Sequence, residues 1–499
     1  MPHPVAPPPG RHRREVAIVL VLGLAAMVVS MMQTLVVPIL GLIGSSLGSS
    51  AAEVSWVTTA TLLSAAVFTP LLGRLGDQRG KKPTLIGVLG VMIAGSVLAA
   101  TTDSFLWLIV GRVLQGAATA IFPLALSVLR EEVSAHRLPG AMSLVSGTLA
   151  FGSGFALVTT GLLTRGENAD YHPVFWLAAG LALVTLLAVV LVVPASRAGT
   201  GGRTDLLGAL TLGLFLVLLL LPVSQGHEWG WTSTGTLGAF TGAAVMAGVW
   251  AFTQTRVREP LVDMRMFLHR PVLFSNLAGL FVGFGMFAQF LGVSSLAQTP
   301  QDVAGYGFGA SVLRASVEYL LPSTIASLVA AQFGGLLLRR IGPRLTLALS
   351  ATIGMAGFAW LAGAHSSTPS VIGAGMAVGV AISFGYASMP ALIVAGVPPH
   401  QTGIANGINS ISRSVGSAIG SALVTTLLAS RTIGNLPAGV PPLPAESQFT
   451  LSFIIAGVAF AFVLTIALVG LKPGRKAPRA EHLSVTKPVT ESTAATATA

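Results

Sequence analysis

The chain has 499 residues, of which 53% are hydrophobic and only 9% charged. Ordinary soluble chains carry about 25% charge, so lipid must solvate most of this one, and at about 20 residues per span little is left for a domain outside the bilayer. The formal charge of +11 sits in short clusters between apolar runs, which fits membrane topology and not nucleic acid, and the absence of cysteine excludes disulfides and thiolate chemistry.

Fourteen apolar runs are predicted as membrane helices. The first, 15 to 40, follows the opening MPHPVAPPPGRHRR and is too long for a signal h-region, so it is read as a retained anchor; Met32, Gln33 and Thr34 stand within it. The second, 53 to 73, leads into Gly73-Arg-Leu-Gly76-Asp77-Gln-Arg-Gly80-Lys81-Lys82. This is read as a tight turn whose glycines let helix ends approach, with Asp77 able to serve as an ionic latch; the alternative is a turn whose charges only set the topology. After a third run at 83 to 101, the fourth, 105 to 129, holds Arg112 and Gln115. About seven residues inside a helix, Arg112 lies about 10 Å along it and must face protein or water, which makes it a functional candidate. The structural alternative is an arginine satisfied by backbone carbonyls.

Runs at 139 to 163, 173 to 194, 206 to 224 and 235 to 254 complete the first eight. The ninth, 272 to 293, carries Asn276 and Gln289, with Phe281, Phe284, Met286, Phe287 and Phe290 as an adaptable apolar wall. Arg314 and Glu318, at the start of the tenth run (316 to 338), are four apart and able to pair on one helix face, as a rim ion pair or a coupling site. Runs at 344 to 364 and 369 to 395 precede the thirteenth, 403 to 429, with Asn406, Asn409 and Arg413, and the last, 449 to 471. Isolated amides in spans serve as interhelical glue as readily as ligand contacts. From Pro473 the polar, Thr/Ala-rich tail is read as disordered.

With the N-terminus inside, 23 of the 28 Lys and Arg fall on its side and only Arg165, Arg314 and Arg431 on the other, which predicts that both termini are cytoplasmic. A shift of 262 residues sets Gly73 on Gly335, Gly80 on Gly342, Lys82 on Arg344 and Gly154 on Gly416. The expected organisation is a tail (1–14), a six-helix bundle (15–200), two inserted helices (201–260), a second six-helix bundle (261–472) and a second tail (473–499). Repeated bundles of this kind point to rocking about a midplane site.

On these residues the chain resembles the major facilitator superfamily and, within it, the 14-spanner drug:H+ antiporter family. The segment Gly73 to Lys82 matches the superfamily's signature between spans 2 and 3, and Arg112-Val-Leu-Gln115-Gly116 matches the family's span 4 pattern. The resemblance implies an all-α polytopic fold of two six-helix bundles plus two inserted helices. It also implies proton coupling through Arg112, with Asp77 and Glu318 as further candidates, and a cavity touching Met32, Gln33, Thr34, Gln115, Asn276, Phe284, Gln289, Asn406 and Arg413. The gate motif is Gly73, Gly76, Asp77, Gly80 and Lys81. Two departures stand out: Met32 occupies the place of the family's membrane aspartate, and span 5 keeps only the last glycine of the antiporter motif, at Gly161.

Two arginines without a deep carboxylate predict a cavity suited to neutral, zwitterionic or weakly anionic amphipathic compounds. No nucleotide-binding loop is present in the sequence, so an ion gradient is the expected energy source. The expected protein is a monomeric plasma-membrane exporter of hydrophobic drug-like compounds, meeting lipid, small amphipathic substrates and protons. No cofactor, metal, nucleic acid or enzymatic activity is expected. The alternatives are a dedicated metabolite exporter and a non-transporting sensor or scaffold.

Overall fold

A computed structural model describes residues 9–134, 137–166, 169–195, 205–397, 402–434 and 442–471. Among these residues the chain is helical, apart from one isolated bridge between Thr432 and Pro444. Its long helices are α1 (9–47), α2 (Ala51–Arg79), α3 (Lys81–Thr101), α4 (Phe105–Glu132), α5 (Leu138–Leu163), α6 (His172–Val192) and α7 (Leu206–Trp229). They continue as α8 (Thr234–Arg256), α9 (Arg270–Gln298), α10 (Val312–Arg340), α11 (Gly342–Gly363), α12 (Thr368–Gly396), α13 (Thr402–Ser430) and α14 (Glu446–Gly470). Thirteen of these contain segments long and apolar enough to cross a membrane, and α5 runs unbroken for 26 residues.

Local chemistry sets where helices start and bend. A capping box starts α2: the Glu53 N–H donates to Ser50 Oγ at 3.3 Å, and the Ser50 N–H donates to Glu53 Oε2 at 2.8 Å, satisfying two otherwise orphaned donors. Asp205 caps α7 and Ser233 caps α8 in the same sense. Pro38 sits in a 3-10 turn that breaks α1, α4 tightens to 3-10 geometry at Ala117–Ala120, and α10 widens to a π turn at Ala315–Leu320.

Helices α1–α6 and α9–α14 pack as two copies of one scheme. Helix α1 lies along α5 as α9 lies along α13; α2 lies along α4 as α10 along α12; α3 lies along α6 as α11 along α14. The halves meet where α2 lies along α13 and where α5 lies along α10, contacts that a two-fold rotation exchanges. Helix α7 packs on both α2 and α13, and α8 packs on α7.

Glycines set the depth of this packing. A Cβ on Gly416 of α13 would stand 1.8 Å from the Leu280 carbonyl oxygen of α9, and one on Gly152 of α5 would stand 2.3 Å from the Met27 carbonyl oxygen of α1. A Cβ on Gly420 of α13 would likewise stand 2.6 Å from the Phe284 carbonyl oxygen of α9. Gly154 faces Leu321 of α10 across the seam between halves.

Two boundaries differ from the sequence reading. Residues 73–79, read as a turn, belong to α2, because the backbone stays helical until Gly80. The N-terminal helix begins at Pro9, inside the segment read as a tail. The rest of that tail and the C-terminal tail from 473 lie outside the described residues.

Candidate translocation site

Arg112 is 1% exposed and lies inside the first bundle. Its Nε donates to the Val57 carbonyl of α2 at 2.7 Å, and its Nη1 donates to Gln115 Oε1 at 2.6 Å. The Met32 carbonyl of α1 lies 3.5 Å from both terminal nitrogens. Gln115 in turn donates to Ser96 Oγ on α3 at 2.9 Å. One side chain thus ties α1, α2 and α4, with α3 joined through Gln115, and its positive charge is met by carbonyl dipoles. Buried polar groups of this kind are costly to leave unpaired.

Several residues read as cavity wall occupy helix seams. Met32, Gln115 and Gln289 are at most 1% exposed, and Phe284 is 6% exposed. Gln289 donates to the Gly375 carbonyl, joining α9 to α12. Thr34 Oγ1 donates to the Ser30 carbonyl and to Ser153 Oγ, and Ser30 and Ser153 share a hydrogen bond between α1 and α5. Gln33 and Asn406 remain half-buried.

The gate motif divides its labour. Gly76 lets α2 close on α4, since a Cβ there would stand 2.4 Å from Leu124 Cδ2. Gly80 takes φ of +103°, a conformation that favours glycine. Gly73 meets open space. Lys81 pairs with Glu131 of α4. Arg74 reaches the segment after α8: its Nη2 lies 2.7 Å from Glu259 Oε2, and its Nη1 donates to the carbonyls of Glu259 and Pro260. Asp77 is exposed, and the charges acting on it are Lys81, Glu131 and Arg74, all of the first half. Among the described residues no hydrogen bond or ion pair joins Asp77 to the second half. Glu318 Oε2 accepts from Arg314 Nε at 2.5 Å, the i, i+4 pair that the spacing predicts.

The second bundle holds its own charged centre. Arg413 of α13 is half-buried and lies over the Tyr386 ring of α12, with Cζ 4.9 Å from the ring centroid. Its Nη1 donates to Asn409 Oδ1 at 3.0 Å, and Nη2 reaches Ser410 Oγ at 3.4 Å. Asn409 Nδ2 donates to the Ser275 carbonyl of α9 at 2.8 Å and approaches Asn276 Oδ1 at 3.4 Å. Tyr386 Oη donates to Met286 Sδ at 3.4 Å. Tyr386 was not singled out from the sequence, where it offers no motif; only the fold brings it under the guanidinium.

The family model of the Major Facilitator Superfamily matches residues 22–421 and 282–496. The chain is similar to the tetracenomycin C resistance and export protein of Streptomyces glaucescens, at 26% identity over 98% of this chain and 97% of that one. It is also similar to the cephamycin export protein CmcT of Amycolatopsis lactamdurans, at 28% identity over 85% of each. Among solved structures, the nucleoside transporter NupG superposes with a TM-score of 0.62 at 16% identity, covering 91% of this chain and 100% of that one. At that identity the likeness speaks for the fold alone.

Proposed function

The chain belongs to the Major Facilitator Superfamily, and from that premise we propose that it is a 14-spanner exporter of hydrophobic drug-like compounds, driven by proton antiport through alternating access. The chain is a multi-pass membrane transporter of small hydrophobic solutes. The observation that carries the mechanism is the way the halves touch. Thr58 and Ser421 share a hydrogen bond between α2 and α13, Gln298 Nε2 donates to the Pro38 carbonyl at 3.1 Å, and Gly161 admits Leu313 of α10. Contacts of hydroxyls, an amide and a glycine separate and re-form at small cost, as rocking requires.

In this reading the moving bodies are 15–200 and 261–472, with 201–260 inserted, both termini are cytoplasmic, and the protein works as a monomer. Glu318 and Asp77 are carboxylates at opposite ends of the spans, and Arg112 is the fixed charge between them. Proton entry supplies about 2.3 kcal/mol per charge per 100 mV. Export of one dedicated compound is the second reading, favoured by two relatives that are each named for a single compound.

The test is proton flux in everted vesicles challenged with a drug panel. Drug-dependent proton movement, abolished when the pH gradient is collapsed, is the expected result. Drug movement that continues unchanged after collapse would end the antiport reading. Response to one compound alone would select the dedicated exporter.

A further inference from the structure

We infer that Arg413 anchors a negatively charged group, of carboxylate chemistry, on an otherwise apolar transported compound; this rests on the transporter reading above. Arg112 and Arg413 are both arginines within spans, but their surroundings differ. Arg112 is sealed, with backbone carbonyls and Gln115 around it. Arg413 keeps some exposure, on a stretch of the fold where no residue from Ala405 to Ser430 of α13, and none from Ala381 to Ile393 of α12, is exposed.

The guanidinium is held but not neutralised. The Tyr386 ring lies against it, and Asn409 takes one of its donors at 3.0 Å. The contact to Ser410 is long, at 3.4 Å. Among the described residues no Asp or Glu pairs with Arg413. A guanidinium has five donors in a planar fork that matches a carboxylate, so most of its donor capacity is unused. A desolvated charge without a counter-charge is costly, and a bound anion removes that cost.

A second observation comes from α9. Asn276 Nδ2 and Ser275 Oγ are buried without a hydrogen-bond partner, on residues 3% and 0% exposed. Both residues adjoin Asn409, the residue that holds Arg413. Buried orphan polar atoms are rare. Here two stand one residue from an uncompensated cation, so the set presents donors in excess of acceptors. Met286, bonded to Tyr386, adds a soft apolar border suited to the hydrophobic remainder of a solute.

Depth decides against a lipid headgroup as the source of the anion. Arg413 lies eleven residues past Thr402 at the start of α13, about 16 Å along the helix at 1.5 Å per residue. That is well below the headgroup layer of a bilayer whose apolar core is about 30 Å thick.

The test uses the full-length protein in nanodiscs and a matched pair of probes, naproxen and its primary amide, with binding read by scintillation proximity. Wild type is expected to bind the carboxylate about tenfold or more tightly than the amide, as a charge-assisted pair predicts. Arg413→Gln is expected to make the two equal. Asn409→Asp, which sets a carboxylate beside the same guanidinium, is expected to weaken naproxen alone, and it carries the test if Arg413→Gln does not fold. Equal binding of both probes by wild type, or a preference that survives both substitutions, overturns the inference. Displacement of naproxen by equimolar chloride or inorganic phosphate assigns the arginine to a small anion and also overturns it. Transport into proteoliposomes is measured in parallel. Amide transport without carboxylate preference sinks this inference alone, whereas carboxylate preference without transport of either probe leaves the anion site standing and counts against the proposed export of such compounds.

Discussion

Gly80 and Gly342 stand 262 residues apart and make the same joint, each linking two antiparallel helices at a positive φ, +103° and +80°. Residues with a side chain are strained at such positive φ by roughly 1–3 kcal/mol. Gly80→Ala and Gly342→Ala are expected to lower stability by about that amount, read as a fall in the thermal midpoint in detergent. Gly73→Ala and Gly335→Ala are the controls. Both lie inside helices and face open space, so alanine there is expected to be neutral or to stabilise by up to about 1 kcal/mol. A loss at Gly73 equal to that at Gly80 would refute the assignment of the joint.

The hydroxyls of Thr58 and Ser421 meet across the two halves. Because the chain has no cysteine, Thr58→Cys with Ser421→Cys creates the sole thiol pair. Oxidation is expected to cross-link α2 to α13 and stop drug efflux, and reduction is expected to restore it. Efflux that persists in fully cross-linked protein would mean that this contact does not open during transport.

Arg112→Ala is expected to destabilise by about 1–3 kcal/mol, since it leaves Gln115 Oε1 without its donor in a dry interior. Thermal unfolding measures this directly. Arg112→Lys keeps the charge but loses the fork geometry, so it is expected to fall between alanine and wild type. A stable alanine variant with lost proton flux would make the arginine a coupling group without structural weight.

Asp205 joins three elements. One carboxylate accepts the Gly208 N–H of α7 and the Gln254 Nε2 of α8, both at 2.7 Å, and the Leu261 N–H at 3.2 Å. Asp205→Ala is expected to cost about 1–3 kcal/mol and to loosen the segment before α9. Hydrogen exchange of residues 257–263 should rise. Unchanged exchange there would show that Arg74, which grips Glu259 and Pro260, and Gln254, which accepts the Val262 N–H, hold this segment without Asp205.

The fold was readable because lipid forces long apolar runs and because the repeat is marked by glycines at fixed separation. Residues 73–79 were misplaced because glycine and charge signal a turn in water, whereas α2 carries both to its end. Arg112 and Arg413 look alike in a string of letters. Burial and partners separate them, and those depend on which helices lie alongside. Tyr386, Ser275 and the longer reach of Asp205 became visible only once α7, α9, α12 and α13 had neighbours, for their partners Arg413, Asn409 and Gln254 lie dozens of positions away.

The rotation that relates the halves is broken at their margins. Helix α7 lies over the α2/α13 junction and α8 lies outside it, with only 11% of its apolar window buried. The α5/α10 junction keeps an apolar hollow of about 330 Å³ lined by Phe151, Val158, Leu321 and Ile325. One junction is thus covered by a helix of the same chain and the other is not. In the proposed rocking, one seam therefore slides beneath a plate of the protein's own making while the other opens directly onto its surroundings, like a hinge with a guard over one leaf.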